Sequence, residues 1–492
     1  MTIYKSGTKF NDVLDEQTIK SWDGNNVILN GATGSGKTYF IFNNLYEFAK
    51  INGRNILFLC NRKELFLEVI REKERLQLYN IDVMLYQTLQ EMLNREDFIQ
   101  QYNYIVCDEF HYVLSDAVFN KYTDLTYEWI INRDDSIKIF MSGTGDRIFQ
   151  KLTSSKIVNK DFEYVIPYDY SYVKQLSFFE NREKVFDIVN NILNETEEKI
   201  IFFSNSIEFA IEVYNQFKNY SYFRCSQYTL NPIARKLNNL CKDCIVNYND
   251  DLITFDKRIL ITTKALDNGI NIKDRKIKHI ICDIFDLESL QQCLGRKRII
   301  DNEDVCNFYI RNYSKKDVGR FKGFLNSDIK PIQTLKRDKD EYMACYGKNR
   351  EQHSDYIFYN GEELVYNRLA YWKMLCQSVD IDNIQRNGYK KVILDILGDT
   401  ITEIIDLDNL EKMNRKNTLI MYLEGILDRR LYREQQKELI NNINLTVRSK
   451  KYQALSKLNL AFEILGLNYQ IQSKRIRESG SLKTVWIVNK IE

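Results

Sequence analysis

The sequence predicts an α/β protein with two tandem parallel sheets, followed by a mainly helical C-terminal region. Three observations predict it. Short apolar runs alternate with helical periodicity in the first third of the chain, and a glycine-rich loop stands between the first such strand and its helix. The same alternation returns in the middle third without that loop.

The elements follow in order. NVILN (26–30) reads as a strand, GATGSGKT as a loop, and the next residues through 50 as a helix. NILFLC (55–60), YIVCD (104–108) and KIFMSG (138–143) are further buried strands, so residues 1–165 read as one domain. KIIFFS (199–204), RILIT (258–262), HIICD (279–283) and NFYI (307–310) repeat the pattern, which gives a second domain over 166–330. Of the three prolines, Pro167 and Pro331 fall near the expected boundaries, where proline would interrupt regular elements. Residues 331–492 then read as a C-terminal accessory domain. Leu455, Leu458, Phe462 and Leu465 form one apolar helical stripe that Gly466 is placed to end. Two strand-like runs, 468–476 and 482–488, flank a Ser-Gly turn. A helix followed by a basic hairpin resembles a winged-helix module. Asn441 to Glu492 holds nine Lys and Arg against three Glu, so Lys474, Arg475 and Arg477 are candidate nucleic-acid contacts. A small α/β cap with a solvated charged face is the alternative.

Composition narrows the classes. The chain has 492 residues, 44% of them apolar, enough for three ordinary domains with real cores. With 70 Lys and Arg against 68 Asp and Glu, the net charge of +2 gives no global attraction to nucleic acid, and any footprint must be local. The N-terminal MTIYKSGTKFNDVL lacks the apolar core of a signal peptide, and no apolar run approaches the roughly 20 residues that span a bilayer. A cytoplasmic protein without membrane contact is expected. The ten scattered cysteines suit a reducing compartment; Cys241 and Cys244 have metal-ligand spacing, but no second pair stands behind them.

The chemistry begins at Gly31-x4-Gly36-Lys37-Thr38, a phosphate-loop pattern placed between strand and helix. Gly31, Thr33, Gly34, Ser35 and Gly36 would wrap the phosphates with backbone N–H groups, Lys37 would reach the β and γ phosphates, and the Thr38 hydroxyl would ligate magnesium. Asp108 ends a strand expected beside this loop and would hold magnesium through its water shell. Glu109 stands where a general base aligns the attacking water, and the adjacent His111 would orient or couple it.

With these motifs in place, residues 15 to 310 resemble the superfamily 2 helicases and translocases, particularly the DExH group. GATGSGKT is similar to motif I and Asp108-Glu109-Phe110-His111 to motif II. Asn61-Arg62 with Leu65 looks like motif Ia, with Asn61 where many members carry proline, and Tyr86-Gln87-Thr88-Leu89 looks like the strand-contacting motif before motif II. Ser142-Gly143-Thr144 is similar to the Ser-Ala-Thr motif that couples hydrolysis to movement. Ser204-Asn205-Ser206 occupies motif IV, Thr262 to Asn271 looks like motif V, and Gln292-Cys293-Leu294-Gly295-Arg296-Lys297-Arg298 looks like motif VI.

The resemblance implies two RecA-like domains that close on ATP and magnesium. Arg296 is then the first candidate for the guanidinium that stabilises charge on the transferring phosphoryl group, with Gln292 a nearby nucleotide contact. The common pattern has an arginine three places after the Gly-Arg arginine; here Ile299 stands there and Arg298 one place earlier, so either Arg298 does that work through a shifted backbone or Arg296 does most of it alone, and the pair is the expectation with no shares assigned. Gly269 would permit a close backbone approach to the nucleotide, and Asn271 replaces a frequent acidic residue, for which Asp267 is a substitute. Gln17 is a candidate adenine contact or a local cap. Arg62, Thr88 and Thr263 are candidates for gripping strand phosphates, which would position the polymer without reading its sequence.

The expected activity is ATP-dependent movement on single-stranded or forked DNA, with travel toward the 5′ end implied by the resemblance alone. RNA helicase activity, duplex translocation without unwinding, and a nucleotide-switched binding or assembly role are the alternatives. Usage heavy in Asn, Lys, Ile and Tyr fits a low-GC bacterium or its phage, hence a replication or repair setting and a protein partner for the C-terminal region.

Overall fold

In the computed structural model the chain divides into two compact units, Met1–Ile404 and Ile405–Glu492. The structure describes all residues except 33, 227–228, 250–251, 265–271, 302, 348–353, 399–400, 402, 445, 448–449, 452, 479 and 492.

The first unit holds both expected sheets. Strands β1 (Thr2–Ile3), β2 (Val27–Gly31), β3 (Ile56–Cys60), β4 (Ile81–Leu85), β5 (Tyr104–Cys107), β6 (Ile137–Ser142) and β7 (Glu163–Ile166) run parallel in the order β1-β7-β2-β6-β5-β3-β4. Period-two alternation sorts their side chains onto two faces. Val27, Leu29, Phe58 and Val106 join one buried cluster, while Ile28, Leu57, Leu59 and Ile105 join another. Helices cover both faces, which is why these strands read as unbroken apolar runs.

The second sheet includes the parallel strands β8 (Val173–Phe179), β9 (Lys199–Ser204), β10 (Ser221–Arg224), β13 (Ile259–Thr263), β14 (Ile277–Asp283) and β15 (Cys306–Arg311), and a separate antiparallel hairpin of β11 (Val246–Asn249) and β12 (Leu252–Thr254) comes between β10 and β13 in the chain. Its parallel strands run β10-β13-β9-β14-β15-β8. Two parallel-sheet domains are therefore present.

The C-terminal region differs from its expected outline. Pro331 marks no boundary: it lies inside the helix Lys315–Arg337, which continues because Ile329 and Ile332 beside it are buried. Residues 331–404 belong to the first unit, where the helix Arg368–Asn387 buries Leu369 and Ala370 in the core of the first sheet.

Residues 405–492 form their own core. Helices Leu407–Gly425, Arg433–Ile443 and Leu455–Ile464 precede a hairpin of Tyr469–Glu478 and Ser481–Lys490, and Leu431 pairs antiparallel with Trp486 on that hairpin. A further short hairpin, Thr446–Val447 with Lys450–Lys451, lies between the second and third helices. Leu458 and Phe462 of the expected stripe are fully buried, Leu455 and Leu465 pack beside them, and Gly466 at φ 59° ends the turn. The Asn459 amide docks the third helix on the wing, donating to Ile471 O at 3.0 Å and accepting from Ile471 N at 2.7 Å. Among the described residues no helix is long and apolar enough to cross a membrane.

Candidate nucleotide cleft

Parallel α/β sheets bind ligands beyond the carboxyl ends of their strands, and the candidate site lies there. The phosphate loop follows β2, Asp108 follows β5, and Ser142 ends β6. β6 lies between β2 and β5, so Asp108 is one strand further from the loop than the sequence reading placed it.

Local chemistry shapes the loop. A Cβ on Gly31 would meet the Phe10 ring and the Ser35 hydroxyl oxygen at 2.5 Å, and the Phe10 N–H donates to Ser35 O at 2.9 Å. Phe10, fully buried, thus forms the floor of the loop. Gly34 and Gly36 take left-handed φ of 87° and 80°, and Gly36 caps the helix that begins at Lys37. A turn of π-helix, Ile41–Leu45, joins that helix to Tyr46–Ile51. Lys37 is buried, and its ammonium donates to Gly31 O at 2.5 Å and Ala32 O at 3.2 Å. Burial lowers its pKa, against the charges of Glu109 and Asp108, which raise it.

Glu109 is held in left-handed backbone at φ 46°, where a non-glycine residue costs on the order of 1–3 kcal/mol. Its N–H donates to Asp108 Oδ1 at 3.0 Å, and the following Phe110 N–H ties back to Met141 O at 2.9 Å. The two carboxylates titrate apart. Burial, aided by the Glu109 charge, pushes Asp108 up to about 7. Burial would also raise Glu109, but hydrogen bonding and charge from His111, with Lys37 and Arg296, hold it below the usual carboxylate range. Glu109 is therefore the carboxylate kept ionised. A cation beside Asp108 would offset the burial that favours its proton.

His111 Nδ1 lies 2.8 Å from Ser142 Oγ and 3.2 Å from Glu109 Oε2. Across the cleft, Gln292 Nε2 lies 2.9 Å from His111 Nε2 and donates to Thr144 Oγ1 at 2.6 Å. One amide of the second domain thus joins His111, just past β5, and the Ser142-Gly143-Thr144 segment of the first.

The arginines are delivered by backbone register. Ile272 pairs in parallel with Lys297; Ile272 N–H donates to Arg296 O at 2.9 Å, and Arg298 N–H donates to Ile272 O at 2.7 Å. In this extended run residues 296 and 298 share one face and 297 takes the other. Lys297 is buried the opposite way on Asp304, at 2.5 Å. Arg298 reaches the phosphate loop, its Nη1 3.5 Å from where a Gly34 Cβ would stand, and burial with the neighbouring Arg296 lowers its pKa to about 10. Lys297 and Asp304 were not singled out in the sequence, although the alternation of Arg, Lys and Arg carries the signal.

Two buried polar atoms, Ser35 Oγ in the loop and Arg296 Nε, whose guanidinium acts on Glu109, have no hydrogen-bond partner among the described residues. Together with the glycine cradle, Lys37 and the paired guanidiniums, they fit a polyphosphate. Half-buried Thr38 and buried Asp108 fit a magnesium ion that keeps most of its waters, which needs few protein ligands.

Other expected contacts are scattered. Thr33, Asp267, Gly269 and Asn271 lie outside the described residues. Gln17 is exposed in the first turn of Glu16–Ser21, and Asp15, not Gln17, caps that helix through Thr18 N. Arg62 pairs with buried Asp116 at 3.4 Å, Thr88 is exposed, and Thr263 is buried at the end of β13. Lys474, Arg475 and Arg477 are exposed on the wing of the second unit.

A family model described as the res subunit of type III restriction enzymes matches residues 12–77, from the N-terminal segment through the phosphate loop to the helix Lys63–Leu76. No curated protein sequence matches the chain. Among solved structures, Saccharomyces cerevisiae Dbp5 bound to RNA and ADP BeF3 is 15% identical, over 63% of this chain and 90% of that one, with a TM-score of 0.42. The Escherichia coli DEAH/RHA helicase HrpB is 15% identical, over 64% of this chain and 44% of that one, with a TM-score of 0.43. At these identities neither assigns a substrate or a residue's role.

Proposed function

We propose that the protein is an ATP-driven motor on single-stranded nucleic acid, hydrolysing ATP between its two RecA-like domains. The observation that carries this reading is the pair of links across the cleft: Gln292 on His111 and Thr144, and Arg298 beside the phosphate loop. Lys37 and the loop N–H groups bind the phosphates. Glu109, ionised and oriented by His111, aligns the attacking water, and Arg296 with Arg298 stabilises the charge that develops on the phosphoryl oxygens. Thr38 and Asp108 would hold magnesium, whose charge neutralises the phosphates. Because the arginines and the glutamine come from the second domain, the occupied cleft favours closure and hydrolysis releases it. Ser142 and Thr144 sit on that switch, and strand contacts around Arg62 and Thr88 would move with it.

Residues 405–492 support a second nucleic-acid contact. Sixteen Lys and Arg stand there against ten Asp and Glu, in a chain that is nearly neutral as a whole. Beyond Tyr469 and Ile471 the outer wing carries Lys474, Arg475 and Arg477 into solvent. The matching family is named for restriction enzymes and the yeast structure holds RNA, so both polymers stand as substrate classes. ATP hydrolysis on matched single-stranded DNA, duplex DNA and single-stranded RNA decides between them. Stimulation by one single strand names the polymer, stimulation by duplex alone makes the protein a duplex translocase, and no stimulation by any refutes the motor.

A further inference from the structure

The chain after the second sheet returns to the first, and it does so beside the cleft. Asn367 is fully buried, and its amide donates to Ala117 O at 3.3 Å, Asn120 O at 3.0 Å and Thr123 Oγ1 at 2.7 Å. The N–H groups of Arg368 and Leu369 donate to the Asp124 carboxylate at 2.6 and 3.0 Å. The helix Arg368–Asn387 is thus anchored in the first domain at its start. Farther along it meets the second: Gln377 Nε2 donates to Asp286 Oδ2 at 3.2 Å, and Tyr389, just past its end, donates to Ile284 O at 2.9 Å. It is a strut fixed to both domains.

One polar stripe of the strut faces the interdomain seam. Lys373, Gln377 and Asp380 fall at i, i+4 and i+7, the positions of a single helical face. Lys373 donates to Ser115 O at 3.2 Å and Asp380 pairs with Arg147. Arg147 follows Thr144 by three residues, in the first turn of Asp146–Ser154, and its Nε pairs with Glu288 Oε1 of the second domain at 3.3 Å. Glu288 lies on the helix Leu287–Leu294, which Asp286 caps through Ser289 N at 2.9 Å. Gln292 is four residues after Glu288 and so shares its face. Two links therefore cross the seam side by side, Thr144 to Gln292 and Arg147 to Glu288, and the strut reaches the second through Asp380.

We propose that Arg147 is a positioning residue for ATP hydrolysis, held by Asp380 of the strut so that it captures Glu288 on closure and sets Gln292 and the following Arg296. This rests on the ATPase reading above. The partly buried Arg147 guanidinium stands between two partly buried carboxylates, and without it Glu288 and Asp380 would lose the charge they share and repel each other. Asp380 belongs to neither sheet and keeps Arg147 aimed while the cleft opens and closes. The segment 368–387 is in this way part of the hydrolytic machinery, although it follows the motor domains in sequence.

The test uses the full-length protein with a saturating stimulating polymer and compares Arg147→Met, Arg147→Lys, Asp380→Asn and the double variant Arg147→Met/Asp380→Asn. Arg147→Met is expected to lower kcat by about 10- to 100-fold while KM for ATP moves by less than about threefold, the pattern of lost alignment and not lost binding. Arg147→Lys should recover part of kcat, and Asp380→Asn should cost about three- to tenfold. Because Asp380 acts through Arg147, the double variant should be no slower than Arg147→Met. Losses that multiply in the double variant, or an Arg147→Met kcat equal to wild type, overturn the inference while leaving the ATPase reading intact. If Arg147→Met fails to fold, Asp380→Asn with an unchanged kcat overturns it equally. A wild-type protein that turns over no ATP on any polymer overturns the underlying reading and this inference with it.

Discussion

Replacing Lys297 by methionine would test how the arginines are aimed. The Lys297 and Asp304 side chains are both fully buried, and the ammonium lies 2.5 Å from Asp304 Oδ2. Removing one partner of a buried pair costs about 3–5 kcal/mol, because the other charge stays buried. Asp304 retains Lys278 at 3.2 Å and the Ile300 N–H at 3.2 Å, which puts the expected loss near the lower end, about 3 kcal/mol. That is roughly a 100-fold shift in the folding equilibrium. For a domain of about 150 residues it is a drop of roughly 6–12 °C in the melting transition of the second domain, measurable by calorimetry. Arg296 and Arg298 flank the lost anchor on the opposite face, so kcat assayed well below that transition should also fall, by about 10- to 100-fold. A melt within 2 °C of wild type together with kcat within about twofold would refute the anchoring. A lowered melt with intact kcat would leave the anchor standing and refute its part in aiming the arginines.

Two further perturbations probe separate links. Gly36→Ala places a Cβ 3.1 Å from Asn11 Oδ1 at φ 80°, so fluorescent-ATP affinity should weaken by about tenfold, the equivalent of roughly 1.4 kcal/mol of left-handed strain; Gly24→Ala, at φ 75° with open space around it, should leave that affinity unchanged. Buried His279 hydrogen-bonds Glu198 Oε2 at 2.7 Å and Tyr309 OH at 3.2 Å, and burial lowers its pKa despite Glu198. The unfolded chain then binds the proton first as pH falls, so this stability is present above about 6.5 and is lost as pH falls from there through the folded value. Melting temperatures at pH 7.5 and 5.5 should show a larger acid-side loss for wild type than for His279→Gln; equal losses would contradict it.

The glycine-rich loop and the Asp108–His111 segment were legible as candidates because each packs its chemistry into a few contiguous residues at the end of an apolar run. Strands buried on both faces were legible for the same reason. Edge strand β4 was not: of Ile81–Leu85 only Ile81 is fully buried, so no unbroken apolar run marks it. β7 begins with Glu163, an acid at the threshold of burial that breaks the pattern of a central strand. Pro331 misled because buried neighbours hold its helix through the lost N–H. Arg147, Glu288 and Asp380 carried no local signal, since they meet only after three distant segments fold. Lys373, Gln377 and Asp380 form a polar stripe that was readable as helical periodicity, but periodicity does not say what a polar face meets. The last helix and hairpin were visible in the sequence, while the strand through Leu431 was not, being a single bridge to Trp486.

The most direct test of the central claim is ATP turnover by Glu109→Gln alongside ATP binding by the same protein. The exchange keeps the side chain's size and its reach toward His111 but removes the charge. Polymer-stimulated kcat should fall by about 10²- to 10⁴-fold with ATP affinity within a few fold of wild type. Wild-type turnover in Glu109→Gln would contradict hydrolysis at this cleft.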